Sequence, residues 1–147
     1  MSIFPTKVLA ALDGSEEASL ATKTAADIAE KTGSELHLVH VRRISGYIDP
    51  SIERVRYLAD VEEAVRTEFL DAQVKHIQDA GGTVAQAHVK VGPPVEEIVG
   101  LADEIEAGLV VMGSRGMGGL RRLLLGSVSD GVSRHAHCTV MIVRKEA

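Results

Sequence analysis

The sequence predicts an α/β protein built on a doubly wound, Rossmann-like parallel sheet, and three observations carry that prediction. Short apolar runs alternate with longer stretches of helical periodicity in the order βαβαβαβαβ, which demands right-handed crossovers and helices on both faces of one sheet. The first run is apolar after its opening lysine, as suits a strand covered on both faces. The chain has 147 residues, 45% hydrophobic and 25% charged, the size and balance of a single globular domain over residues 1–147.

Lys7 to Leu12, KVLAAL, reads as strand 1, ended by the turn signal Asp13-Gly14-Ser15. Ser15 suits an N-cap, Glu16 and Glu17 complement the positive end of the next helix, and Ala18, Ala21, Ala25, Ile28 and Ala29 recur at helical spacing until Gly33. Leu36 to Val41 is strand 2. Residues 42–57 form a polar stretch with Gly46 and Pro50 that reads either as a lid or as a solvated excursion. Val55 to Asp79 carries a second helical pattern, stopped by Gly81-Gly82. Thr83 to Lys90 alternates as strand 3, Pro93 opens a helix with Val95, Ile98, Val99, Ala102 and Ile105 on one side, and Gly108 closes it. Leu109 to Met112 is strand 4, Ser127 to His135 a short helix, and Thr139 to Val143 strand 5.

Composition excludes several functions. A formal net charge of −5 opposes binding to nucleic-acid backbones, which rests on many Lys and Arg contacts. No apolar run approaches the ~20 residues of a membrane span, and the first residues lack the basic-then-apolar pattern of a secretory signal, so a cytoplasmic location is expected. The single cysteine, Cys138, cannot form an internal disulfide and reads as a small buried residue. His37 and His40, three apart on a strand, face opposite sides and cannot easily share a metal ion. His135 and His137 follow a helix C-terminus, where they suit its dipole.

Chemistry concentrates in one stretch. Five of the fourteen glycines fall between Gly113 and Gly126, after strand 4 and before the last helix. Glycines at such a junction let backbone N–H groups approach a ligand closely, and the helix N-terminus adds unpaired donors and partial positive charge. Those properties hold phosphates, with Gly126, Ser127 and Ser129 at the helix start. The competing reading is a tight connection with Ser127 as an ordinary cap. The stretch matches neither G-x-x-x-x-G-K-[ST] nor a G-x-G-x-x-G after the first strand.

Gly113-Ser114-Arg115-Gly116, nine residues from Met117 to Leu125, then Gly126-Ser127 follow the pattern G-x-x-G, nine residues, G-[ST]. With the opening VLAALDGSEEA, the block VGPPVEEIVGLADEIEAGLVVMGSRG and the closing SVSDGVSRHAHCTVMIVR, nearly the whole chain resembles the ATP-binding branch of the universal stress protein family. The resemblance implies strand order 3-2-1-4-5, a fold like that of the adenine nucleotide alpha hydrolases, and a ligand held between strands 1 and 4. Independently, open α/β sheets place ligands beyond the strand ends at the switch point, where Asp13 and Gly113 meet.

Carried over, Ala11 and Asp13 would line the nucleoside side and Val41 would meet the adenine edge through its backbone. Met112 and Gly113 would pass beneath the ribose and first phosphate, and Gly116, Gly126, Ser127, Val128 and Ser129 would hold the phosphates. Asp13 reads as a ligand of ribose hydroxyls, as a water-mediated ligand of Mg²⁺, or as an Asx-turn residue. Arg115 is the best arginine for a phosphate, whereas Arg121 and Arg122 read as solvated.

The implied ligand is ATP, with ADP, AMP and cyclic AMP as alternatives, and the implied role is regulatory in the stress response. No visible base activates an attacker, and Leu12-Asp13-Gly14-Ser15-Glu16 lacks the S-G-G-x-D-S of the related ATP pyrophosphatases, so at most slow ATP hydrolysis is expected. A second reading is a nucleotide-free homodimeric interaction module. Thr139 to Val143, apolar and at a sheet edge, predicts an antiparallel homodimer. The downstream protein partner is unspecified.

Overall fold

The computed structural model describes residues 2–43, 57–60, 64, 70–114 and 126–145. Its elements in chain order are β1 Lys7–Leu12, α1 Glu16–Thr32, β2 Glu35–Arg42, α2 Asp71–Asp79, β3 Gln86–Val91, α3 Pro94–Glu104, β4 Leu109–Gly113, α4 Ser127–His135 and β5 Thr139–Val143. The five strands form one parallel sheet in the order β3-β2-β1-β4-β5, as the resemblance implies.

Alternation along the strands divides the core between the two faces. Val8, Ala10, Leu36, Leu38 and Val111 pack with Ala21 and Ala25 of α1 and with Leu70 and Ile77 around α2. Leu9, Val39, Val110 and Met112 pack on the other side with Ile98 and Leu101 of α3 and Val132 of α4. The buried face of α1 is mostly alanine, with Thr22 donating its hydroxyl to the Ala18 carbonyl at 2.9 Å. Such a face lets the helix sit close to the sheet. At Gly113 the helix backbone leaves no room for a side chain, since an added Cβ would lie 2.9 Å from the Glu17 carbonyl carbon.

The ends of α1 match their sequence signals. Ser15 Oγ accepts the Ala18 N–H at 3.1 Å, and Gly33 takes a left-handed φ of 68°. Other boundaries differ: β2 runs one residue further at each end, and β3 and β4 run one residue further at their C-terminal ends. Pro94, not Pro93, occupies the first helical position of α3; a residue before proline is pushed out of the helical region, so Pro93 stays extended as the cap. Gly108 does not close that helix: the left-handed residue is Glu106, φ 58°, while Gly108 donates its N–H to the Lys7 carbonyl and starts the run into β4. β3 begins at Gln86 rather than Thr83, because Gln86 is the first residue to find a register partner, His37 on β2.

The helical pattern over residues 55–79 lies partly outside the described residues; within them, residues 57–60 and 64 are helical and α2 covers its last part. Leu70, just before α2, already has helical dihedral angles.

His37 and His40 face opposite sides, as the strand period requires. His37, only 6% exposed, stacks on His88 with ring centroids 5.3 Å apart and its Nδ1 3.1 Å from His88 Nε2. One of those nitrogens must donate and the other accept, so the contact fails if both rings are protonated. His37 Nε2 is buried without a partner among the described residues. Burial lowers the His37 pKa, which the Glu35 carboxylate partly offsets and Lys7 reinforces.

Two outcomes follow for stability. Gly113→Ala should cost about 1–3 kcal/mol in urea unfolding, because its new methyl meets helix backbone rather than a flexible side chain. A folded-state pKa below the unfolded one makes the folded protein take up fewer protons, so His37 contributes stability above about pH 6.5 that is lost as pH falls through its lowered value. The melting temperature should drop more steeply between about pH 7 and 5 in the parent than in His37→Leu; equal slopes would remove His37 as the cause.

Candidate functional site

The sheet turns in opposite senses on either side of β1 and β4, because β1 leads into α1 on one face while α4, which follows β4, lies on the other. The helices that follow β1 and β4 lie on opposite faces there, which leaves a crevice beyond the strand ends. It is a cleft of about 260 Å³. Ala11, Asp13, Val41, Met112, Gly113, Gly126, Ser127, Val128 and Ser129 all line it, so residues from four separate segments converge. Arg115 and Gly116, assigned to the same site by the resemblance, lie outside the described residues, as do Arg121, Arg122 and most of the stretch 42–57.

One wall is strand-built and apolar. Val39 and Val41 of β2, Ala11 of β1, Met112 of β4 and Ile98 of α3 supply it. β2 stays paired with β3 up to Arg42↔Val91, while its register with β1 stops at Leu12↔His40. The β1-facing backbone of Val41 therefore rises past the end of its neighbour, toward the cleft that Val41 lines.

The end of β1 is held by its neighbours. His40 Nδ1 lies 2.8 Å from the Leu12 carbonyl; since a carbonyl only accepts, Nδ1 carries the hydrogen. Asp13 Oδ1 accepts the Ser15 N–H at 2.9 Å, and Gly14 takes a φ of 87° that a side chain would resist. Asp13 is thus an Asx-turn residue and also lines the cleft.

The opposite wall is a helix start. Gly126 caps α4 in an extended conformation, φ −71° and ψ 163°, and its N–H donates to the Ser114 carbonyl at 2.6 Å. Asp130 N–H, bonded to the Gly126 carbonyl at 2.9 Å, makes the first helical bond. The N–H groups of Ser127, Val128 and Ser129 have no acceptor among the described residues. Three donors at the positive end of a helix favour an anion.

The two serines differ. Ser129, 3% exposed, points its hydroxyl at the carbonyls of Ser114 and Gly126 at 2.9 and 3.1 Å, bracing the turn and leaving its backbone N–H for a ligand. Ser127 is exposed and does not act as the cap, a position taken by Gly126.

Sequence reasoning missed Ser114 and Arg43. Ser114, 2% exposed, donates its N–H to the Val143 carbonyl at 3.0 Å and its hydroxyl to Glu17. It sits at a variable position of the glycine pattern, where spacing carries no signal. Arg43 lines the cleft just past β2, inside the stretch read as a lid or a surface excursion.

The remaining titratable candidates lie elsewhere. Burial and Asp103 raise the Cys138 thiol above its ordinary range, which suits an inert packed cysteine. His137 does not cap α4: its Nδ1 lies 3.0 Å from Asp103 of α3, while the Ala136 N–H closes that helix on Val132. Among the described residues no three His, Cys, Asp or Glu side chains cluster as metal ligands, and no helix is long and apolar enough to cross a membrane.

Comparison with known proteins agrees with this architecture. The model of the universal stress protein family matches residues 5–144. A universal stress protein of Methanocaldococcus jannaschii is 33% identical over 141 residues, 95% of this chain and 82% of the relative. Among solved structures, the universal stress protein UspA from Lactobacillus plantarum superposes with a TM-score of 0.82 at 26% identity, covering 97% of this chain and 100% of that one. A universal stress protein in complex with cAMP has a TM-score of 0.73 at 27% identity, over 99% and 100% of the two chains. One from Archaeoglobus fulgidus in complex with dAMP has 0.65 at 25%, over 97% and 99%. With a family match spanning almost its entire length and a fold shared with these structures, this chain belongs to the universal stress protein family.

Proposed function

We propose that the chain is a regulatory protein of the stress response that binds an adenine nucleotide, ATP foremost, in the cleft between β1 and β4. The observation that carries this reading is the division of the cleft into an apolar strand wall and a helix start with three available N–H donors. A purine fits the wall of Val39, Val41 and Ile98, ribose hydroxyls fall to the Asp13 carboxylate, and phosphates fall to the backbone of residues 127–129 with the Ser127 hydroxyl. Relatives in complex with cAMP and dAMP support an adenosine ligand. Mg²⁺ would travel on the phosphates with Asp13 as a water-mediated ligand, since hard cations prefer oxygen.

The site suits holding more than consuming. Asp13, at the nucleoside side, is the only carboxylate among the described lining residues, a position far from an attacker on the terminal phosphate. Fast phosphoryl transfer needs a positioned attacker and cations around the transferred group.

Acid extraction of the purified protein should release an adenine nucleotide, and saturating ATP at about 100 Kd should stabilise the fold by about 2.7 kcal/mol, raising the melting temperature by roughly 5–10 °C. Ser127→Ala should weaken ATP binding roughly tenfold with no change in unliganded melting, and Gly126→Ala should weaken it too. Turnover should stay below the 1–100 per second typical of kinases. An extract without nucleotide together with no thermal shift from ATP would sink the reading.

A homodimer is a compatible proposal, favoured by β5. That strand pairs only with β4 among the described residues and exposes Thr139 and Met141, so its outer edge offers unpaired backbone groups to a second copy. Light scattering at micromolar concentration should give twice the 15.7 kDa chain mass; a monomer would contradict it. Dimerisation without nucleotide would favour the interaction-module alternative.

A further inference from the structure

We infer that Arg43 is the stacking surface for the purine ring, its guanidinium covering the nucleoside end of the cleft. The inference rests on the adenine-nucleotide reading and deepens it.

Strand alternation places the residue. Val39, Val41 and Arg43 all line the cleft, while Arg42 between them belongs to the opposite side of the chain. At 3.2–3.4 Å per residue, the Arg43 backbone stands roughly 6–7 Å beyond that of Val41, within reach of a ring resting on the valines. The chain just before it is anchored, because the Arg42 carbonyl accepts the Gly92 N–H at 2.9 Å. Arg43 therefore follows directly on an anchored residue.

Its position across the sheet separates base from phosphate. β1 lies between β2 and β4, so Arg43 is about two strand spacings, roughly 9–10 Å, from the β4 side where the α4 donors sit. The nucleoside half is the nearer one.

Chemistry then selects the contact. No aromatic residue is among the described residues lining the cleft, and the chain has no Trp, two Tyr and two Phe. Arg43 makes no ion pair or hydrogen bond with a described residue and is the only cation among those lining the cleft. A planar, weakly hydrated guanidinium stacks on an aromatic face, which an ammonium does poorly.

The test is calorimetric titration of the full chain with ATP and AMP, with adenosine measured by competition. Arg43→Ala should weaken all three by one common factor, roughly three- to twentyfold. Arg43→Lys, which keeps the charge and loses the plane, should recover little of it. Unliganded melting should not move, because the side chain is exposed. A loss that grows from adenosine to ATP would assign Arg43 to phosphate and overturn the inference; so would full recovery by Arg43→Lys, or no loss at all. Parent protein that binds none of the three would overturn the nucleotide reading first, and the inference with it.

Discussion

The arrangement of the cleft depends on how closely the first turn of α1 is seated against the end of β4. Gly113 has no side chain because Glu17 backbone occupies the space where one would be. The next residue, Ser114, converts that proximity into a polar junction. Its hydroxyl donates to Glu17, its N–H to the Val143 carbonyl, and its carbonyl receives both the Gly126 N–H and the Ser129 hydroxyl. One buried residue thus ties α1, β4, β5 and α4 together. In a buried setting each of those groups would be costly to leave unpaired, so the four elements have little freedom to separate. The α4 donors keep their aim because the turn before them is held.

The same economy governs the polar residues around the cleft. His40 spends its Nδ1 hydrogen on the last carbonyl of β1, Asp13 spends one carboxylate oxygen on the turn that follows, and Ser129 spends its hydroxyl on the turn before α4. These bonds hold the backbone in position without filling the cleft. What remains directed at the cleft is mostly backbone: that of Val41 beyond β1 and the first N–H groups of α4. Backbone groups fixed by secondary structure need little reordering on binding, which lowers the entropic cost of association.

The apolar division of the sheet explains why the cleft lies on one side. Alanines on α1 bring that helix close to the sheet, whereas α3 and α4 meet the other face through larger residues such as Ile98, Leu101 and Val132. Gly131 lets α4 come up against Val95 of α3, where a Cβ would lie 2.6 Å from the valine side chain. Two of the helices bordering the cleft, α3 and α4, are therefore packed on each other as well as on the sheet.

Sequence by itself determined the alternation of strands and helices, the buried face of α1, its caps at Ser15 and Gly33, and the range of α4, because these follow from local periodicity and side-chain chemistry. It also singled out Asp13 and Gly113–Ser129, since turn chemistry and glycine density are local signals. The displaced boundaries have local and tertiary causes: Pro94 restricts Pro93, while β3 begins where β2 supplies a partner. Only tertiary structure decided that Ser114 is the junction, that Ser129 braces while Ser127 stays exposed, that His37 stacks on His88, and that Arg43 faces the cleft. Each of those roles belongs to a contact between residues far apart in the chain, and neither spacing nor composition encodes which distant atom a side chain will meet.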